Sequence, residues 1–170
     1  METSKTRTET LLFTDRLAIA IATAGGAGFA PRAPGTAGSL VGVLIYLIIE
    51  AAHAGAYYLH AIIFFFIVGT WASSRVERLY GHDSQRIVID EVVGQMITYG
   101  LFAGRYQLSA IYIALGFGLF RLFDIVKPFP IRRLERLPGG LGVVADDVGA
   151  GIYALAVLAL IRYGFGRLIT

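Results

Sequence analysis

Apolar residues gather in six stretches near 11–30, 38–56, 57–72, 87–104, 107–123 and 148–163. Two of them, GSLVGVLIYLIIEAAHAGA and YYLHAIIFFFIVGTWA, approach the ~20 residues that cross a bilayer as one helix. The first stretch, LLFTDRLAIAIATAGGAGFA, is interrupted by Asp15–Arg16 and then by Gly25, Gly26 and Gly28. It is expected to form an interfacial or re-entrant helix ending in a glycine loop. Stretches 87–104 and 107–123 are separated by two or three residues around Arg105–Gln107, which predicts an antiparallel hairpin. The whole pattern predicts an all-α, polytopic membrane bundle of about four to five transmembrane helices plus the N-terminal element. Residues 1–10, METSKTRTET, are read as a mobile polar tail. Residues 11–170 are read as a single membrane-embedded domain.

Composition sharpens this picture. Hydrophobic residues make up 56% of the chain and charged residues 16%, against about 25% charged in soluble chains. Mean hydropathy is +0.66. The absence of cysteine removes disulfides, thiolate metal sites and cysteine nucleophiles. The net charge is only +3 and no basic, aromatic-studded element occurs, so no nucleic-acid partner is expected. With spans starting near 38, 57, 87, 107 and 148 and a cytoplasmic amino terminus, only Arg105, Arg162 and Arg167 of the 15 basic residues fall outside. The positive-inside rule favours that orientation.

The segment RIVIDEVVGQMI, residues 86–97, is apolar yet carries adjacent acids, Asp90 and Glu91. Neighbouring carboxylates repel, and desolvation penalises each further. Asp83 lies just ahead of them, Asp124 follows the next stretch, and Asp146–Asp147 precede the last. All six fall on the cytoplasmic side at one expected depth. Each has a plainer explanation: Asp146–Asp147 can cap the last helix, Asp83 can pair with Arg86, and Asp124 with Arg121. Taken together they would repel strongly without a cation. Hard oxygen ligands suit one or two magnesium ions (Mg2+). With no thiolate, and with His53, His60 and His82 scattered along the chain, zinc is not expected. Asp83, Asp90, Glu91, Asp124, Asp146 and Asp147 are the candidate metal ligands.

A second informative stretch is GFAPRAPGTAGSL, residues 28–40. Its prolines stiffen the backbone, Gly35 and Gly38 permit close approach, and Thr36 and Ser39 offer hydroxyls. A glycine turn entering a helix amino terminus can cradle an anion. A proline-rich turn with Ser39 capping a helix from Leu40 is the plainer alternative. Gly149, Ala150, Gly151 and Ala154 form a small-residue stripe suited to close helix packing. Glu50 is expected to be a boundary residue that snorkels, and Trp71 an interfacial anchor.

PGTAGSL, HDSQRIVIDEVVGQMI, FRLFDIVKPFPIRRLE and GGLGVVADDVGAGIYA occur in that order. Together they resemble the phosphatidylglycerophosphatase A family of bacterial membrane lipid phosphatases, over about residues 18 to 155. Gly-Leu-Gly-Val-Val replaces the family's commoner Gly-hydrophobic-Gly-Ile-Met before the acid pair, a change that touches no carboxylate. The resemblance implies Mg2+-dependent hydrolysis of a phospholipid, phosphatidylglycerophosphate, to phosphatidylglycerol and inorganic phosphate. It also implies a location in the bacterial cytoplasmic (inner) membrane, with the active site facing the cytoplasm.

The family's acidic positions fall on Asp83, Asp90, Glu91, Asp124, Asp146 and Asp147, and its basic positions near the headgroup on Arg121 and Lys127. The expected catalytic set is Asp83, Asp90, Glu91, Asp146 and Asp147, with His82 as either a general acid or a structural histidine. The expected substrate-binding set is Arg32, Thr36, Gly38, Ser39, Arg121 and Lys127. Two alternatives use the same residues: a small ion or proton transporter, and a soluble helical relative that binds a phosphorylated metabolite.

Overall fold

A computed structural model describes residues 12–81 and 85–164. Among these the chain forms α1 (Phe13–Ala22), α2 (Pro34–Ala51), α3 (Tyr58–Tyr80), α4 (Ile89–Tyr99), α5 (Ala110–Val126), α6 (Ile131–Leu134) and α7 (Gly140–Gly164), with no strand. The expected polar tail, residues 1–10, lies outside the described residues. Among the described residues, three segments are long and apolar enough to cross a membrane: α2, α7, and α3 together with the short turn preceding it. Leu40, Leu44, Leu47 and Ile48 on α2, Ile63, Phe64 and Ile67 on α3, and Ile152 and Leu160 on α7 are exposed to the surroundings rather than covered by protein. Lipid can cover such faces.

The expected span over 87–104 is instead an 11-residue helix, α4. At 1.5 Å per residue it reaches about 16 Å, roughly half the hydrocarbon thickness. Helix α4 forms the inside of the bundle. Val92, Val93, Gly94, Gln95, Met96, Thr98 and Tyr99 are all buried, as expected of a helix covered on every side. Helices α2, α3, α5 and α7 pack around it. The Tyr58 hydroxyl donates to the Met96 carbonyl at 3.0 Å and the Tyr99 hydroxyl to the Ile113 carbonyl at 2.7 Å, pinning its last turns.

Several boundaries differ from the sequence expectation, each for a physical reason. Helix α2 starts at Pro34 rather than Leu40, because proline at the first helical position brings a suitable φ and lacks a donor that would go unpaired. Ser39 is therefore buried inside the helix, donating to the Gly35 carbonyl at 2.9 Å instead of capping. The α4–α5 connection runs through residues 100–109 rather than two or three. It is fixed by Gly104 (φ 69°), whose N–H donates to Glu50 at 2.7 Å and whose backbone nests on Gly55. Glu50 is thus a loop clamp. Helix α7 begins at Gly140, whose N–H donates to Ser74 Oγ at 2.9 Å. Asp146 and Asp147 consequently sit inside the helix and do not cap it.

The expected short N-terminal helix does end in a glycine turn, with Gly25 and Gly26 at φ 69° and 108°. An Asp15–Arg75 ion pair of 2.7 Å ties α1 to α3.

Candidate active site

Helices α4 and α7 cross where both carry glycine. A Cβ on Gly151 would strike the backbone of Gly94, and one on Gly94 would strike the Phe120 ring and the Asp147 carbonyl. The small-residue stripe of α7 serves this packing: Gly149 lies against Ile131 and Leu134, and Ala150 and Ala154 are buried. One helical turn toward the amino terminus from this contact, α4 carries Asp90 and Glu91 and α7 carries Asp147. The backbone contact therefore draws three carboxylates together. One oxygen of each of Asp90, Glu91 and Asp147 lies within 4.8 Å of the other two. Oxygens on opposite sides of a Mg2+ ion are about 4.2 Å apart, given bonds near 2.1 Å, so small side-chain movements would let all three share one ion.

The trio opens into a cleft of about 630 Å³ that Pro34 and Gly35 of α2, Glu135, Leu137 and Gly139 of the α5–α7 connection, and the cations Arg121 and Lys127 also line. Arg121 Nη1 lies 2.8 Å from Asp124 and 4.0 Å from Glu91, and donates to Ser39 Oγ at 3.4 Å. A Cβ on Gly35 would collide with Glu91 Oε1, so glycine lets the start of α2 approach that carboxylate. Lys127 ends α5 with φ 45° and donates through Nζ to Asp146 at 2.5 Å and to Glu135 at 2.6 Å. Burial alone would lower its pKa, but the hydrogen bonds to Asp146 and Glu135 outweigh burial and hold it above the ordinary lysine value.

Three carboxylate oxygens of the acids lining this cleft are left without a hydrogen-bond partner among the described residues. Glu91 Oε2, Asp146 Oδ1 and Asp147 Oδ2 are buried and accept no hydrogen bond among the described residues. An unpaired buried carboxylate oxygen is costly. A hard divalent cation would satisfy such oxygens, and the donor set contains only oxygen.

A family profile described as phosphatidylglycerophosphatase A matches residues 20–162. The chain belongs to the phosphatidylglycerophosphatase A family. Membership makes it an enzyme that hydrolyses a phosphate monoester, and with the three apolar helices makes it a membrane lipid phosphatase. A phosphatidylglycerophosphatase A of Haemophilus influenzae is 39% identical over 140 residues, covering 81% of this chain and 84% of that protein. The phosphatidylglycerophosphatase A of Escherichia coli is 32% identical over 141 residues, covering 81% and 79%. A Bacteroides thetaiotaomicron relative, provisionally named a phosphatidylinositol-3-phosphatase, is 37% identical over 154 residues, covering 88% and 96%. No solved structure matches the chain.

Within this phosphatidylglycerophosphatase A family member, Asp90, Glu91, Asp124, Asp146, Asp147, Arg121 and Lys127 all line one cleft. They do not stand equally. Asp124 is held closely by Arg121 and Asp146 by Lys127, whereas Glu91, 4.0 Å from Arg121, converges with Asp90 and Asp147. Asp83 and His82 lie outside the described residues. Arg32 is exposed, and neither it nor Thr36 lines the cleft among the described residues. A Cβ on Gly38 would come within 2.7 Å of the Val88 carbonyl oxygen, so Gly38 serves packing. Ser39 does not line the cleft among the described residues; it touches Arg121 and the Gly35 carbonyl, which do. The 28–40 stretch contributes Ala33, Pro34 and Gly35 to the lining, none of which carries a hydroxyl. Sequence reasoning missed Glu135, which reaches Lys127 from beyond α6, and Gly94, whose position inside an apolar helix was a usable signal for close backbone approach.

Proposed function

We propose that this enzyme removes the terminal phosphate of phosphatidylglycerophosphate, with Mg2+, at the cytoplasmic face of the bacterial inner membrane. The observation that carries this reading is the convergence of Asp90, Glu91 and Asp147, with unpartnered oxygens among them, beside Arg121 and Lys127. An ion or proton pathway would lead acids toward the membrane midplane. Here Asp90 and Glu91 occupy the first turn of α4, next to two cations suited to an anionic substrate. The exposed Arg132, Arg133 and Arg136 follow directly after Lys127 in sequence, which supports a cytoplasmic cleft.

Asp90, Glu91 and Asp147 would hold Mg2+, which when bound supplies positive charge to the phosphate oxygens. Arg121 and Lys127 offset further charge on the phosphate as the transition state forms. Asp146 Oδ1, free of a donor among the described residues, accepts a proton from the attacking water. The water oxygen bonds to phosphorus as the bond to the glycerol oxygen breaks. That leaving oxygen takes a proton from a cleft water, and Asp146 returns its proton to solvent, giving phosphatidylglycerol and inorganic phosphate.

The test is phosphate release by the detergent-purified chain. Phosphatidylglycerophosphate should turn over in Mg2+, and chelation should lower the rate at least about a hundredfold. Phosphatidylinositol 3-phosphate, run in parallel because of the Bacteroides relative's name, should turn over more slowly. The reverse preference would replace the substrate, and no release from either lipid would overturn the reading.

A further inference from the structure

Glu135 differs from the other paired acids of the cleft. Its side chain is 43% exposed, whereas those of Asp146, Asp124 and Glu91 are 7%, 14% and 16% exposed. It stands just past α6 and meets Lys127 Nζ at 2.6 Å. Lys127 already has one buried counter-charge in Asp146, so Glu135 is a second anion on the same ammonium, held on the solvent side. Exposed ion pairs of this kind contribute little and exchange readily with water. A phosphate monoester offers the same ammonium an acceptor of the same kind: an anionic oxygen at charge-assisted hydrogen-bond distance. Asp146 cannot yield its place so easily, because it is buried on α7 and Lys127 is its only ion-pair partner among the described residues.

We propose that Glu135 occupies the position of a substrate phosphate oxygen on Lys127 and swings into water when the phosphate monoester enters. Its departure leaves Lys127 Nζ, still held by Asp146, as the donor for the incoming phosphate. The inference rests on the cleft being a phosphate-monoester site and is independent of which lipid carries the phosphate.

Inorganic phosphate is the probe, titrated calorimetrically into the full chain in detergent with saturating Mg2+. Glu135→Gln and Glu135→Ala should each bind phosphate about three- to tenfold more tightly than the wild type, as expected when a weak exposed competitor is removed. The gain should persist in roughly 0.5 M NaCl, where the Debye length is about 4 Å and distant charges are screened. Equal or weaker binding in both variants would mean that Glu135 supports the phosphate site rather than filling it, and the proposal fails. A gain that disappears in salt would reduce the effect to a long-range field, with the same consequence. If neither wild type nor variants bind phosphate, the phosphate-site reading itself falls and takes this inference with it.

Discussion

Asp147→Asn is expected to lower phosphate release at least about a hundredfold. The variant should nonetheless be as stable as the wild type, or more so, in chelator. Both signs come from the same geometry. Asp147 is buried, within 4.8 Å of Asp90 and Glu91 oxygens, with Oδ2 unpartnered. Neutralising it relieves repulsion between buried like charges while removing charge that a divalent ion needs. Asp90→Asn should behave the same way, since its carboxylate belongs to the same trio. Turnover and thermal unfolding in chelator, measured side by side, check the pair. Activity within about tenfold of wild type, or a clear loss of stability in chelator, would contradict the assignment.

Gly151→Ala should have the next largest effect. Its new Cβ would meet the Gly94 carbonyl group, and backbone cannot rotate aside as a flexible side chain can. The helices must part, at a cost of about 1–3 kcal/mol for overpacking. Because Asp90, Glu91 and Asp147 sit one turn away, the same displacement widens the carboxylate trio. Stability, activity and apparent Mg2+ affinity should therefore fall together. Gly118→Ala is the control: a Cβ there meets nothing within 4 Å, and alanine gains roughly 1 kcal/mol of helix propensity over glycine. It should match or slightly exceed the wild type in thermal unfolding, with unchanged Mg2+ dependence. A Gly151→Ala protein that does likewise would remove the crossing from the account.

Asp90, Glu91, Asp124, Asp146 and Asp147 were legible in the sequence because carboxylates are rare in apolar stretches, and the structure brings these five to one cleft. Their division of labour was not. Whether Asp124 faces Arg121 or the trio depends on the rotation of α5 and α7 about their axes, and the glycine contact at Gly94 and Gly151 fixes how closely α4 and α7 approach. Hydrophobic runs likewise gave the long helices but not the role of α4. A run of this apolarity suits a short buried helix or a membrane span equally well, and only the surrounding helices reveal that α4 is enclosed by protein. Ser39 shows the same limit locally. A serine before an apolar run reads as a cap, yet Pro34 starts the helix earlier and turns Ser39 inward. Glu135 carried no signal, because its partner Lys127 is reached across the elbow formed by Pro128, Phe129 and Pro130.

The central claim, that Asp90, Glu91 and Asp147 bind one divalent cation between them, is tested most directly by titrating the detergent-purified chain with Mn2+ and following its paramagnetic resonance. Mn2+ favours the same oxygen donors as Mg2+. Saturable binding to the wild type is expected, weakened at least about tenfold in Asp90→Asn and in Asp147→Asn. Equal Mn2+ affinity in the wild type and both variants would contradict the claim.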